Sequence, residues 1–255
     1  WKAVRWKAVS RRAGAEFTEV GLAQADVELL RQGEIVSCEL TPAGSNYTFL
    51  ARLRLEDRDG LAIYKPRDGE VPLWDFPSGT LYKRECAAYL LSEILGWDFI
   101  PYTLIREGPY GIGSMQSYVE HDPRQNYHTL EIEGYAGNAE QLRRVACFDL
   151  VANNTDRKAG HVLKDGDGKL WGIDQALTFH ADTKIRTVIW DFAGDPIPED
   201  LLQTLEGICR QLSHPQGRIQ ELLDLLLPEE IEALHRRLQW VLTDRVYPEL
   251  PGRRR

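Results

Sequence analysis

Apolar residues recur at every second position in the first half of the chain. Residues 49–55 read Phe-Leu-Ala-Arg-Leu-Arg-Leu, and an apolar residue at each alternate position predicts a strand. The turn-forming residues 57–60 and a second apolar run over residues 61–65 complete a predicted hairpin. We therefore predict β structure throughout residues 35–65.

Helical spacing replaces this alternation farther along the chain. Thr80 can cap a helix that runs to Leu95 and ends at Gly96. In the last third, leucine and isoleucine recur at helical spacing, and acidic residues after Pro198 and Pro228 mark two helix starts. The other predicted elements are a short helix at 25–30, strands at 101–106 and 113–119, a polar stretch at 121–138 and a helix at 139–152.

The order of these elements predicts the fold class. Strands gather in the first half and helices in the second, which predicts an α+β fold of two lobes rather than alternating βαβ units. A cleft between two lobes is the natural place for a ligand. The predicted parts are an N-terminal extension (1–34), an N-lobe (35–120) and a C-lobe (121–255).

Composition and charge narrow the range of partners. With 31 Lys and Arg against 39 Asp and Glu, the net charge of −8 excludes a nucleic-acid coat, because phosphate backbones select for excess basic residues. No apolar stretch is long enough to predict membrane insertion, and the first residues lack the apolar region of a signal peptide. Four cysteines without a Cys-x-x-Cys pair favour reduced thiols in a cytoplasmic protein. They are Cys38, Cys86, Cys147 and Cys209.

Two carboxylates flank a predicted hairpin in the C-lobe. Asp156 follows the helix at 139–152, and Asp174 ends the second strand of a hairpin whose turn is 165–168. The hairpin brings both residues to one end, where one carboxylate can orient a hydroxyl and the other can hold a cation on phosphate oxygens. The alternative is an ordinary structural role, with Asp156 capping a turn and Asp174 ending a strand.

The N-lobe supplies matching residues. Lys65 ends a predicted strand and Glu85 lies on the following helix, so that an ion pair between them can aim the ammonium at nucleotide phosphates. Alone, such residues are ordinary surface charges. A turn made of Gly44, Ser45 and Asn46 can point backbone N–H groups at phosphate, although the chain has no Gly-x-Gly-x-x-Gly motif and no Walker A motif.

Two segments match known motifs, Asn154-Thr155-Asp156-Arg157 and Ile173-Asp174-Gln175-Ala176-Leu177-Thr178-Phe179. They resemble the catalytic loop and the metal-binding segment of the protein-kinase-like superfamily, above all its phosphatidylinositol 3-/4-kinase-like branch and the HipA-like bacterial kinases. Over residues 35–245 the chain is also similar to an uncharacterised bacterial family of phosphatidylinositol-kinase-like proteins. The resemblance implies a bilobal protein-kinase-like fold with a β-rich N-lobe and a helical C-lobe.

The resemblance also implies a role for each matching residue. Asp156 would be the catalytic aspartate, Asp174 would bind Mg²⁺ (or Mn²⁺), and Lys65 would hold the phosphates of ATP. The other implied nucleotide-binding residues are Glu85, the turn of Gly44, Ser45 and Asn46, and the hinge residues Gln116, Tyr118 and Val119.

The chain departs from the family motif at one position. Where the family has a second metal-binding asparagine five residues after the aspartate, this chain has His161. Imidazole suits Zn, Mn or Ni better than Mg²⁺, so that His161 is a metal ligand, a phosphate contact or a sign of lost catalysis. Lys158, close to Asp156, could neutralise charge on the transferred phosphate.

Three functions follow as hypotheses. The first is an ATP-dependent phosphotransferase that acts on a hydroxyl of an unknown acceptor, a protein or a small molecule. The second is a nucleotide-binding pseudokinase with a regulatory or scaffold role. The third is a metal-dependent hydrolase using Asp156, His161, Asp174 and His180. Fold alone does not select an acceptor, and the sequence leaves the oligomeric state open.

Overall fold

Five antiparallel strands form the sheet of the N-lobe in the computed structural model, which describes residues 27–42, 45–135 and 137–249. The strands are β1 (Glu34–Leu40), β2 (Phe49–Leu55), β3 (Arg58–Pro66), β4 (Thr103–Gly108) and β5 (Gly111–Ser117). Their order in the sheet is β1-β2-β3-β5-β4. The alternation predicted for β2 is confirmed, because Phe49, Ala51 and Leu53 are buried while Arg52 and Arg54 are exposed.

The hairpin between β2 and β3 turns two residues earlier than the sequence predicts. Leu55 pairs with Arg58, so that the turn consists of Glu56 and Asp57 alone. Glu56 adopts a left-handed conformation, with φ of 53°, which allows this tight reversal. The predicted turn residue Asp59 therefore lies in β3, where its carboxylate accepts a hydrogen bond from Arg54 Nε at 2.8 Å.

A short helix covers one face of the sheet. Residues 27–32 form α1, which matches the described part of the helix predicted at 25–30. Leu29 and Leu30 of this helix join Leu53, Tyr64 and Met115 in the buried cluster of the N-lobe. Burying these side chains between helix and sheet supplies the main stabilising contribution of this lobe.

Six further helices follow α1 within the described ranges, and most belong to the C-lobe. They are α2 (Leu81–Ile94), α3 (Tyr127–Ile132), α4 (Ala139–Ala152), α5 (Glu199–Leu212), α6 (Arg218–Leu223) and α7 (Pro228–Asp244). The bounds of α4 match the predicted helix at both ends. Helix α3 interrupts the predicted polar stretch, because Asn126 caps it by accepting a hydrogen bond from His128 N at 2.9 Å.

Helix α2 packs against both lobes. It contacts β4 and β5 in the N-lobe and α6 in the C-lobe. Ala87, Leu90 and Leu91 of α2 share one large buried cluster with Val145 and Phe148 of α4. A helix that is buried on several sides cannot shift without losing contacts in both lobes, so that its position is well determined.

The hairpin predicted in the C-lobe is present. Strands β6 (Val162–Lys164) and β7 (Leu170–Gly172) pair antiparallel, and the turn between them contains Asp165. Its carboxylate accepts hydrogen bonds from Asp167 N at 3.0 Å and Lys169 N at 2.9 Å, which closes the turn.

These elements confirm the predicted fold class. The molecule is α+β, with a β-rich N-lobe and a helical C-lobe. All four cysteines are free thiols, as predicted. Within the described ranges, no helix is long and apolar enough to cross a membrane.

We expect Gly113→Ala to destabilise the N-lobe beside Lys65. A Cβ at position 113 would lie 2.4 Å from the Lys65 carbonyl oxygen and 2.7 Å from Pro66 Cα, in the tightly paired register of β3 and β5. Forcing an extra carbon into such a site costs about 1–3 kcal/mol of unfolding free energy. Urea denaturation measures this loss of unfolding free energy. Gly166→Ala is the control, since nothing lies within 4 Å of its added Cβ, and equal losses in both variants would contradict the expectation.

Candidate active site

Three charged residues from separate parts of the chain meet where the sheet, α2 and the segment after β7 come together. Lys65, in β3, forms an ion pair with Glu85 of α2. Its ammonium also lies 2.8 Å from Asp174 Oδ1, just after β7. Glu85 is 2% exposed, whereas the side chain of Asp174 is 45% exposed. The lysine therefore links a buried carboxylate to one that is partly exposed to solvent.

Glu85 uses both of its carboxylate oxygens in this arrangement. Oε1 pairs with Lys65, and Oε2 accepts a hydrogen bond from Gln175 N at 2.9 Å. Since Gln175 directly follows Asp174, one side chain of α2 binds both the lysine and the backbone that carries the aspartate. Charge-assisted hydrogen bonds of this kind are stronger than neutral ones.

Electrostatic interactions keep both Lys65 and Asp174 charged. Burial opposes the ammonium of Lys65, but the carboxylates of Asp174 and Glu85 outweigh it and raise its pKa above the ordinary value. The ammonium of Lys65 in turn lowers the pKa of Asp174 below its usual range, against the effect of burial. At neutral pH the site therefore holds a charged ammonium beside a charged carboxylate.

Asp174 adopts an uncommon backbone conformation. Its φ is 58°, in the left-handed region that aspartate tolerates better than bulkier residues do. Ile173 N before it donates to His161 O at 3.0 Å, and Gln175 N after it donates to Glu85. Such conformations persist only where neighbouring contacts hold them, and they are frequent at functional sites.

Asp156 lies in a loop that begins where α4 ends. Asn153 closes the helix in a left-handed conformation, and Asn154 Oδ1 accepts a hydrogen bond from Asp156 N at 3.0 Å. The carboxylate of Asp156 lies 2.6 Å from the ammonium of Lys158, whose side chain is 61% exposed. The exposed lysine and the partly buried aspartate together present a proton acceptor next to a positive charge.

A buried ion pair attaches this loop to helix α4. Arg157 donates to Asp149 of α4, with Nη2 to Oδ1 at 2.9 Å, and neither side chain is exposed to solvent. Thr187 Oγ1 also donates to Asp149, and Arg157 Nη1 donates to Ile173 O at 3.1 Å. The pair thus joins α4, the loop of Asp156 and the segment of Asp174. The sequence signal was a lone aspartate on the apolar face of α4, which sequence reasoning did not interpret.

His161 lies beside Asp174. Its Nε2 is 3.3 Å from Asp174 Oδ2, and its Nδ1 accepts a long hydrogen bond from Lys158 N at 3.4 Å. Burial lowers the pKa of His161, and the carboxylate of Asp174 offsets this only in part. This shift favours the neutral ring, and the hydrogen bond to Nδ1 favours the tautomer with its proton on Nε2, next to Asp174.

The donor set fits Mg²⁺ bound together with phosphates. Proteins usually hold Mg²⁺ through one or two carboxylates plus substrate phosphates, and Asp174 offers a charged, accessible carboxylate. Across the described residues, no group of three or more His, Cys, Asp or Glu is placed to hold a metal by itself. Such a site would depend on the ligand for most of its oxygen atoms.

The described residues do not assemble the set predicted for a metal-dependent hydrolase. His180 does not join the others, because its Nε2 lies 2.8 Å from Asp75 O and its Nδ1 accepts from Asp182 N at 2.9 Å. Both ring nitrogens are used by the backbone, in a contact between the loop before α2 and the segment after Asp174.

The residues predicted for the phosphate turn and the hinge are placed as follows. Gly44 lies outside the described residues, and Ser45 is exposed. Asn46 Oδ1 accepts a hydrogen bond from Val71 N at 2.7 Å, so that this side chain holds a neighbouring loop. Gln116 is buried, with Nε2 donating to Thr103 Oγ1 at 2.8 Å. Tyr118 and Val119 follow β5, and Tyr118 N donates to Leu61 O at 3.2 Å.

Comparison with known proteins supplies a relative of similar length. No protein-family profile matches the chain. Protein Rv2133c of Mycobacterium tuberculosis is 38% identical over 257 aligned residues, which cover 89% of this chain and 92% of the relative. The chain belongs to the Rv2133c family. Among solved structures, this family member is similar to the Helicobacter pylori proinflammatory kinase CtkA, with a TM-score of 0.43 and 15% identity over 82% of this chain and 93% of that one.

Proposed function

We propose that this protein is an ATP-dependent phosphotransferase that moves the γ-phosphate of ATP to a hydroxyl of its acceptor. One observation carries the proposal: Lys65 bridges Glu85 on a helix and Asp174 after the C-lobe hairpin, although the three come from separate parts of the chain. A strand lysine held by a helix glutamate, facing a metal-binding aspartate, is the arrangement that phosphoryl transfer by kinases requires.

Each residue has a defined task in this mechanism. Lys65 binds the α- and β-phosphates, and Asp156 accepts the hydrogen of the acceptor hydroxyl and orients its oxygen for in-line attack. Lys158, paired with Asp156, neutralises charge on the phosphate during transfer. Asp174 is the residue that would hold Mg²⁺ or Mn²⁺, which supplies charge neutralisation on the phosphate oxygens when bound.

The nucleotide would lie between the lobes. We assign nucleotide binding to the N-lobe, residues 35–120. The C-lobe, residues 121–255, contains the catalytic loop and the helical bundle. The turn of Gly44, Ser45 and Asn46 and the hinge of Gln116, Tyr118 and Val119 complete the proposed site, as the resemblance implies. Membership of the phosphatidylinositol 3-/4-kinase-like or HipA-like branch stays a prediction, as does an acceptor that is a protein or a small molecule.

A pseudokinase is the second candidate, and the position of His161 favours it. The ring lies 3.3 Å from Asp174 at the position where the family motif has a metal-binding asparagine. A neutral imidazole suits Mg²⁺ poorly. Thermal stabilisation by ATP and Mg²⁺ or Mn²⁺ without any ATP turnover would select the pseudokinase, whereas turnover would select the phosphotransferase.

We expect Lys65→Met to weaken nucleotide binding by roughly 10- to 100-fold. A hydrogen bond to a charged group is worth about 1.5–3 kcal/mol, and about 1.4 kcal/mol corresponds to tenfold in affinity. Titration with a non-hydrolysable ATP analogue and Mg²⁺ measures the change. Lys83→Met, at a neighbouring lysine of α2, is the matched control. If the wild-type protein binds no nucleotide with either metal, both proposed functions are wrong.

A further inference from the structure

Helix α2 is tied to the last helix of the C-lobe by a buried ion pair. Arg84 Nη2 pairs with Glu230 of α7, and the two residues are 1% and 4% exposed. Arg84 Nη1 also donates to Thr178 O at 2.6 Å. One guanidinium thus connects α2, α7 and the segment that follows Asp174.

Residues of helix α7 hold Glu230 in place and add a second contact to the segment after Asp174. Glu230 Oε2 accepts a hydrogen bond from Leu227 N at 3.0 Å, which caps the start of α7 and keeps the carboxylate in place. Arg237, two turns later on the same helix face, donates to His180 O at 3.1 Å and to Val151 O at 2.8 Å. Two buried arginines therefore bind the carbonyl groups on either side of Phe179.

Arg84 and Glu85 are consecutive residues with complementary tasks. Glu85 binds Lys65 and Gln175 N, at the start of the segment after Asp174, and Arg84 binds Thr178 O at its end. Because both residues lie on one rigid helix, a shift of α2 that broke the contacts of Arg84 would also move Glu85 away from Lys65.

Stability alone does not explain a buried ion pair. Removing two charges from water is costly, and apolar residues of similar volume often replace such a pair without loss of stability. What apolar residues do not reproduce is the directed contact between α2, Glu230 and Thr178 O. We propose that Arg84 and Glu230 are positioning residues that hold α2 where Glu85 reaches Lys65, so that α7 sets the geometry of the nucleotide site. The kinetic part of this inference rests on the proposed function.

The test compares a double variant with a matched control. Arg84→Met combined with Glu230→Met removes the pair while keeping the site filled, and Glu230→Gln is a second variant in case the double variant does not fold. The control is Glu93→Gln, because Glu93 and Arg218 form another ion pair between α2 and α6, at 3.1 Å, whose side chains are 34% and 41% exposed.

Three quantities are measured on each protein: the melting temperature, the hydrogen exchange of α2 amides, and kcat and KM for ATP. We expect the double variant to fold with a modestly lower melting temperature, because Thr178 O and Leu227 N each lose a hydrogen-bond partner, and with α2 amides that exchange at least about tenfold faster. We expect kcat to fall by about 10²-fold, since small displacements of catalytic groups have effects of this size. Glu93→Gln is expected to leave exchange near Glu85 and kcat unchanged.

Unchanged α2 exchange in a folded double variant, or in Glu230→Gln if the double variant fails to fold, would overturn the inference. Faster exchange with wild-type kcat and KM would overturn its kinetic part. If the wild type neither binds nor turns over ATP, the proposed function fails, but hydrogen exchange still decides whether the pair holds α2.

Discussion

Replacing Asp156 by asparagine is expected to lower phosphate transfer by about 10²–10⁴-fold, the usual contribution of a general base, while ATP binding is retained. The amide that replaces the carboxylate keeps the size of the side chain but cannot accept the hydroxyl proton. The fold should be unaffected, because the carboxylate of Asp156 pairs with the exposed Lys158, and its backbone N–H donates to Asn154 in either case. ADP release and transfer of label from γ-labelled ATP measure the effect.

Asp167→Asn is the matched control for this experiment. Asp167 is exposed in the turn between β6 and β7 and belongs to no part of the proposed machinery. It should keep wild-type turnover. Equal turnover by wild type and Asp156→Asn, with Mg²⁺ and with Mn²⁺, would contradict the catalytic role of Asp156. ATP binding without turnover by either protein would leave the pseudokinase as the better description.

The largest expected loss of stability follows Asp149→Asn. Asp149 accepts hydrogen bonds from Arg157 and Thr187, and both members of the Asp149–Arg157 pair have fully buried side chains. Removing one partner leaves an uncompensated buried guanidinium, which costs about 3–5 kcal/mol of unfolding free energy. In a chain of this size that corresponds to a fall in melting temperature of roughly 6–20 °C.

Calorimetry of two variants tests this expectation. The control is Asp195→Asn, because Asp195 pairs with Arg143 at 2.8 Å but both side chains are partly exposed. An exposed pair contributes about 0–1 kcal/mol, so that the control should melt near the wild type. If both variants melt alike, the Asp149–Arg157 pair does not support the loop of Asp156 as argued.

Local patterns predicted most of the secondary structure. The alternation in β2, the bounds of α4 and the hairpin of β6 and β7 were readable because periodicity and turn residues act over a few positions. The missed helix α3 is only six residues long, and its cap at Asn126 is a single residue within a polar stretch. The turn at Glu56 was misplaced because Asp57 to Gly60 read as the turn, whereas Glu56 in a left-handed conformation lets Leu55 pair with Arg58.

The candidate site was predictable only in part. Lys65, Glu85 and Asp174 could be chosen by residue type, order and resemblance. Their supporting partners carry no such pattern: Asp149 lies within an apolar helix face, and Glu230 is one of many acidic residues. His180 was grouped with the wrong partners, because its position near Asp174 in sequence does not specify which way its ring nitrogens face.

By itself, the sequence determined the strands and most helices, the α+β class and the identity of the charged residues worth testing. Only the tertiary structure decided that Lys65 meets Asp174, 109 positions away, and that Arg84 meets Glu230, 146 positions away. The physical reason is the placement of α2 against both lobes. Local periodicity specifies that this helix forms, whereas the packing of its several buried sides specifies what its charged residues touch.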